Sequence, residues 1–346
     1  MSQPRNYAPP EWEEAYYHCF SRILEGQRIL GPAERSEFRH LMREYEAFCG
    51  VQVLTYCVMS NHFHILVAVP RPPDTLPTAD ELLARFDRLT GSSPAPHHRQ
   101  VVEIYRAQEN RNGEAQWCAT VARRLWNVSE FIKAIKQRFT QWHNRRQGRR
   151  GTLWEGRFGS VLVEGAGRAL AAMAAYIDLN PVRAGLTTDP KEYSWSGYGS
   201  AMAGDPTARR GLQRLAKILC PHDAPDVPLA LEHYRMHLYR QADPSRESIG
   251  PDGRTLRATL PLEAIREVIQ HRGKLPLIEY VHCRVRYFCE GVFLGTRPWV
   301  ESLFRYYRRR FSPRRRSGAR RMSHLAEGGL YTARELRKNV IQTDSS

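Results

Sequence analysis

The run VQVLTYCVMSNHFHILVAVP, residues 51 to 70, decides how the rest of the chain is read. VQVLTYCVM and HFHILVAVP are rich in β-branched and aromatic residues, and Ser60 and Asn61 between them are turn formers, so the run reads as a β-hairpin. Side chains alternate faces along a strand. Phe63, Ile65, Val67 and Val69 therefore face a helical layer, while His62 and His64 stand side by side on the opposite, open face, where their lone pairs can hold one metal ion. The plainer reading is two surface or hydrogen-bonded histidines. Cys57 precedes them, but a structural zinc site would need a fourth cysteine or histidine at similar spacing, and none stands nearby.

Outward from the hairpin, YYHCFSRIL (16 to 24) reads as another strand. A helix follows from Pro32, with Phe38, Leu41, Met42, Tyr45 and Phe48 at helical spacing until Gly50 stops it. From Arg71 to about Trp126, Pro72, Pro73, Pro77, Gly91, Pro94 and Pro96 break the pattern into short helices and loops, which reads as an insertion. An amphipathic helix resumes near Ser129, with Phe131, Ile132, Ile135, Phe139 and Trp142 as its apolar stripe. GTLWEGRFGSVLVEG (151 to 165) then reads as turn, strand, turn. The Ala-rich RALAAMAAYIDLN (168 to 180) favours helix strongly and is stopped by Pro181. This order predicts an α+β fold, with an antiparallel sheet carrying helices on one face, over a catalytic domain of residues 1–205. Pro221, Pro225 and Pro228 mark a linker region at 206–250, and the basic C-terminal region, 251–346, reads as mainly α-helical.

A chain of 346 residues with 42% apolar and 25% charged residues has the make-up of a globular protein with room for more than one unit. Its start carries no apolar stretch before a cleavage site, and no window nears the roughly 18 apolar residues of a membrane span. The expectation is a cytoplasmic, nucleoid-associated protein without a membrane partner. Seven scattered cysteines with no Cys-x-x-Cys pair point to reduced thiols. The net charge of +16 favours a polyanionic partner, and nucleic acid leads.

Tyr176 and Asn180, four apart on the Ala-rich helix, share one face and could offer a nucleophile and an amide oxygen together. A tyrosine among apolar helix residues is more often part of a core, and Pro181 disfavours helical backbone at Asn180. Lys133, Lys136, Arg138, Arg145 and Arg146 form a basic stripe leading to Trp154 and Arg157, which suits a backbone-tracking groove with an aromatic platform, although Trp154 reads equally as a core residue. Arg183, just beyond the tyrosine helix, is a further candidate for phosphate contact or for a helix-end ion pair. Nine arginines between 305 and 321, Arg309 and Arg315 among them, lie in a segment without an acid and read as DNA contacts.

Together these segments resemble the single-tyrosine transposases with a His-hydrophobic-His motif. TYCVMSNHFHILVAVP is similar to that motif, AAYIDLNPVRAGL to the helix bearing the nucleophile, and GTLWEGRFGSVLVEG and FIKAIKQRFTQWHNRR to the segments between, with the REP-associated tyrosine transposase branch most similar. The resemblance spans roughly residues 14 to 200, and RYFCEGVFLGTRPWVESLF looks like an extension of longer members. It implies a ferredoxin-like sheet, His62 and His64 as metal ligands with Asn180 as third, and Tyr176 as nucleophile. It also implies Mg or Mn as cofactor and single-stranded or hairpin DNA as partner, cut through a 5′-phosphotyrosine; a homodimer is compatible with it. A non-cleaving hairpin-binding or regulatory protein is the alternative from another class, and a replication or conjugation nicking enzyme the alternative within the class.

Overall fold

The computed structural model describes residues 5–89, 95–165, 168–187, 189–219, 234–235, 238, 246–249, 255–258, 286–289, 291–322 and 329–334. They form a mixed α/β fold with antiparallel strands and flanking helices. The chain divides into two compact units, Pro9–Phe158 and Met1–Ala8 with Gly159–Ser346. That division falls at Phe158, inside the stretch read as one catalytic domain.

The Pro9–Phe158 unit opens with β1 (Glu14–Arg22), α1 (Pro32–Cys49), β2 (Gln52–Val58) and β3 (His62–Pro70). β3 runs antiparallel to both β1 and β2, so the hairpin expected from residues 51 to 70 is present. Its turn is closed by Met59 N donating to His62 O at 2.8 Å. α1 begins on Pro32, where a missing N–H costs nothing, and ends at Gly50, whose φ of 66° is a left-handed position that a side chain would strain.

The segment read as an insertion folds into three helices, α2 (Ala79–Asp87), α3 (Ala95–Ala107) and α4 (Arg111–Ala122). Thr78 and Glu81 cap α2 reciprocally, and the His98 ring stacks on Phe86 at 4.1 Å while accepting from Trp117 Nε1. Arg106 bridges Asp80 on α2 and Glu114 on α4. α5 (Val128–Arg146) starts at Asn127, whose side chain accepts from Ser129 N and Glu130 N, and packs along α1.

Between these helices and β3 lies an aromatic core. Phe38 meets Phe63 at 4.7 Å and Phe139 at 5.6 Å, and Phe63 meets Trp154 at 5.5 Å. Phe38, Phe63 and Phe139 are wholly buried, each contributing about 1.5–3 kcal/mol by leaving water. This is the helix-covered face predicted for Phe63, Ile65 and Val67. The other face corrects the expectation: His64, Leu66 and Ala68 are buried too, so it is not open. β3 is flanked on both sides, and the His18 and Phe20 rings of β1 lie 5.1 and 6.2 Å from His64.

The second unit contains β4 (Gly159–Val163), α6 (Arg168–Asp178), α7 (Asn180–Arg183), α8 (Gly197–Met202) and α9 (Pro206–Leu219). Beyond them lie the hairpin β5 (Arg246–Ile249) and β6 (Thr255–Ala258), then α10 (Arg286–Cys289), β7 (Gly291–Gly295), α11 (Arg297–Tyr306), β8 (Arg320–Arg321) and β9 (Tyr331–Arg334). β4 pairs in parallel with β7, β7 antiparallel with β9, and β9 antiparallel with β8. Two expectations change here. The region read as a linker begins with a helix, α9, whose Ala208, Leu212, Leu215 and Ala216 are buried; Pro221, Pro225 and Pro228 lie outside the described residues. The described part of the C-terminal region is strand and helix mixed rather than mainly helical, because GVFLG is a short apolar run whose partner strand, not its periodicity, decides its state.

Candidate active site

His62 is the first residue of β3, and its imidazole is held by the turn before it. Asn61 Nδ2 donates to Gly26 O at 3.0 Å, which turns Asn61 Oδ1 toward His62 Nδ1 at 2.7 Å. An amide oxygen only accepts, so His62 carries its proton on Nδ1 and its lone pair on Nε2. Burial, helped by the Arg22 guanidinium, lowers the pKa to about 4 and keeps the ring neutral at pH 7. A neutral imidazole with a fixed lone pair is the form a metal ligand needs.

His64 lies two residues on, on the same strand face, with its ring centroid 5.0 Å from that of His62. Its Nδ1 is 2.9 Å from His18 Nε2, and both residues are buried. The pairing register explains the approach. Phe20 lies opposite His64 and His18 opposite Leu66, so His18 reaches His64 diagonally across two strands on a shared face. His18 and Asn61 were not singled out in the sequence; a histidine in an apolar strand is the only signal, and the register alone gives it a partner.

Tyr176 sits near the end of α6, in the other unit. It is 3% exposed, its ring stacks on Phe288 at 4.4 Å and 9°, and its hydroxyl is 3.2 Å from Cys289 Sγ. The Arg183 guanidinium lies over the Tyr176 ring, 5.0 Å from its centroid, with Nη1 buried and without a hydrogen-bond partner among the described residues. Asn180 completes the helix end. Pro181 has no N–H for the Ile177 carbonyl, and the Asn180 amide donates there at 3.3 Å and to Tyr176 O at 2.8 Å. The Asn180 amide nitrogen is thus committed to the backbone of its own helix.

Two residues past Tyr176, Asp178 is fully buried and fixes the helix from within its own unit. It accepts from Tyr234 Oη at 2.6 Å and Tyr198 N at 3.1 Å, while Arg235 donates to Tyr198 Oη at 3.0 Å and to Asp189 at 2.9 Å. Burial and the Asp178 carboxylate hold the Tyr234 phenol protonated, with its pKa well above the usual range.

The basic residues divide into structural and exposed ones. Lys136 is committed to Ser21 Oγ and Gly156 O, and lies over the Trp154 ring. Of the two readings of Trp154, stacking platform or core residue, the structure bears out the second: it is 5% exposed and donates to Thr140 Oγ1 at 3.0 Å. Arg315 is also turned inward, packed between Phe304 and Phe311 with its guanidinium on the Ser317 and Gly318 carbonyls. Gly318 is required there, since a β-carbon would fall 2.3 Å from Phe304. Arg138 is half-buried near Tyr45. Lys133, paired with Glu130 at 3.2 Å, and Arg145, Arg146, Arg157 and Arg309 are exposed.

Among the described residues no group of three or more His, Cys, Asp or Glu gathers as a metal site. The lone pair fixed on His62 Nε2 and the second imidazole beside it are donors that divalent cations accept. Among the described residues no helix is long and apolar enough to cross a membrane. No family model and no curated protein matches the chain. Among solved structures, one of a REP-associated tyrosine transposase bound to a REP hairpin is remotely similar, at 14% identity and a TM-score of 0.36, over 59% of this chain and 87% of that one.

Proposed function

We propose that the chain is a metal-dependent transposase that cuts and rejoins single-stranded DNA near hairpins, on a ferredoxin-like sheet of the His-hydrophobic-His kind. The observation that carries this is the imidazole pair: two rings 5.0 Å apart on one strand face, one with its lone pair fixed on Nε2 by Asn61 and neutral at pH 7.

In this reading His62, His64 and the Asn180 amide oxygen hold Mg or Mn, which when bound supplies Lewis-acid stabilisation of charge on the scissile phosphate. Tyr176 Oη attacks phosphorus, and a tyrosine–phosphate bond forms as the bond to the 3′-oxygen breaks. The phenol's proton goes to solvent and the departing 3′-oxygen takes one up. A 3′-hydroxyl reverses the step, since the covalent link conserves the phosphodiester. A free phenol with a pKa near 10 is a poor nucleophile, and in this reading Arg183, 5.0 Å from the ring centroid, is the cation that meets the phosphate. Phe288 and Cys289 must come away from Tyr176 before it can react. Arg145, Arg146, Arg157 and Arg309 are among the exposed cations that would follow the DNA backbone, consistent with a net charge of +16.

The burial of Tyr176 favours a second reading, a hairpin-binding protein that does not cut. Incubation with hairpin oligonucleotides carrying the gene's flanking sequence, with Mn, separates the two on a denaturing gel. Cleavage with a covalent adduct in the parent and none in Tyr176→Phe supports the transposase; binding without cleavage in both leaves the second reading.

A further inference from the structure

His18 is buried in the middle of β1, and the reaction described above does not use it. Its Nε2 lies 2.9 Å from His64 Nδ1, the rings being 5.1 Å apart and inclined by 26°, which keeps the contact close to both ring planes, as an N–H···N hydrogen bond requires. One of the two nitrogens must donate and the other accept. If His64 Nδ1 donates, the lone pair of His64 is on Nε2, matching the arrangement that Asn61 imposes on His62. If it accepts, His64 Nε2 bears the proton and cannot be a ligand.

We infer that His18 is a positioning residue: it accepts from His64 Nδ1–H, and so presents His64 Nε2, alongside His62 Nε2, to a divalent cation. The inference rests on the metal-binding reading given above. Its chemistry is that of a partner outside the ligand shell, which orients a ligating imidazole and fixes its tautomer by taking the other N–H. The two histidines of β3 are thereby fixed by different devices. His62 is held from the turn through Asn61 and Gly26, and His64 from the neighbouring strand. The arrangement also requires His18 to carry its own proton on Nδ1.

The test uses the full chain labelled with ¹⁵N-histidine. Long-range ¹H–¹⁵N correlation without metal reads the tautomer of His64, and electron paramagnetic resonance titration reads Mn²⁺ affinity. The wild type is expected to show His64 protonated on Nδ1. His18→Phe, which removes the acceptor but keeps an aromatic ring, should shift that tautomer and weaken Mn²⁺ binding by about 10–100-fold. His18→Gln, whose amide oxygen can accept, should recover most of the affinity. Should His18→Phe not fold, His18→Met makes the same comparison with a weak acceptor. A wild-type His64 protonated on Nε2, or a His18→Phe protein with unchanged tautomer and affinity, overturns the inference. Failure of the underlying reading looks different: the wild type would bind Mn²⁺ no better than a His62→Ala/His64→Ala double variant, while the nitrogen signals would still decide what His18 does to His64.

Discussion

The histidine strand and the tyrosine helix are built to opposite plans. On β3 the polar atoms are arranged, with His62 held by Asn61, His64 in contact with His18, and Phe63 between them anchored in an aromatic core. On α6 the atom proposed to react is covered, with the Tyr176 phenol under Phe288 and against Cys289. A binding surface can be prepared in advance without chemical consequence. A phenol held under an aromatic cover could serve as the proposed nucleophile only after a contact is given up, so the two regions differ in what must change before the proposed reaction.

The largest expected effect tests the arranged half. His62→Ala with His64→Ala should remove metal-dependent cleavage by about 10³-fold, several kcal/mol of lost stabilisation, while far-UV circular dichroism stays unchanged. Cleavage by the double variant at near the parent rate would break the comparison.

Protonation probes the same half through stability. The pKa of His62 is about 4 in the folded chain against 6.5 for the exposed group, chiefly through burial and then Arg22. Between those values the unfolded chain binds the extra proton, so stability is whole above pH 6.5 and declines as pH falls toward 4, by at most about 3 kcal/mol. Urea midpoints of the metal-free protein across that window should fall less in His62→Gln than in the parent.

On the tyrosine side, Tyr234→Phe removes a buried hydrogen bond to the Asp178 carboxylate. A loss of about 1–3 kcal/mol in urea unfolding is expected. A neutral result would mean that Asp178 does not tie α6 in place. Phe288→Ala acts on the cover itself: losing a stacked pair worth about 0.5–1.5 kcal/mol should raise adduct formation by Tyr176 roughly two- to tenfold. A decrease would show that Phe288 helps the reaction instead of masking the phenol. The smallest effect belongs to the exposed stripe, where Arg145→Ala with Arg146→Ala should lower the salt dependence of single-strand binding by about 1.4 in the log–log slope, read by fluorescence anisotropy.

The hairpin of residues 51 to 70, the Gly50 stop and the two amphipathic helices around the aromatic core were legible because period-two and period-3.6 patterns are local properties of the chain. The tail was not, for two reasons. GVFLG has no period of its own and becomes a strand by pairing with β4 and β9, while Arg315 points inward because Phe304, Phe311 and two turn carbonyls offer it a better place than water. Trp154 is a similar case. An aromatic residue beside a basic stripe looks like a stacking platform until the helix across from it fills its N–H.

By itself the amino-acid sequence determined which residues can do chemistry here and on what local scaffold: two imidazoles alternating with core residues on a strand, and a phenol and an amide one turn apart near a proline. Only the tertiary structure decided which nitrogen of His62 holds a lone pair, that His18 meets His64 across two strands, and that the Tyr176 hydroxyl is covered. Spacing along one element is a matter of backbone geometry, whereas proton placement and exposure depend on neighbours that strand register and chain return bring from far away in the sequence.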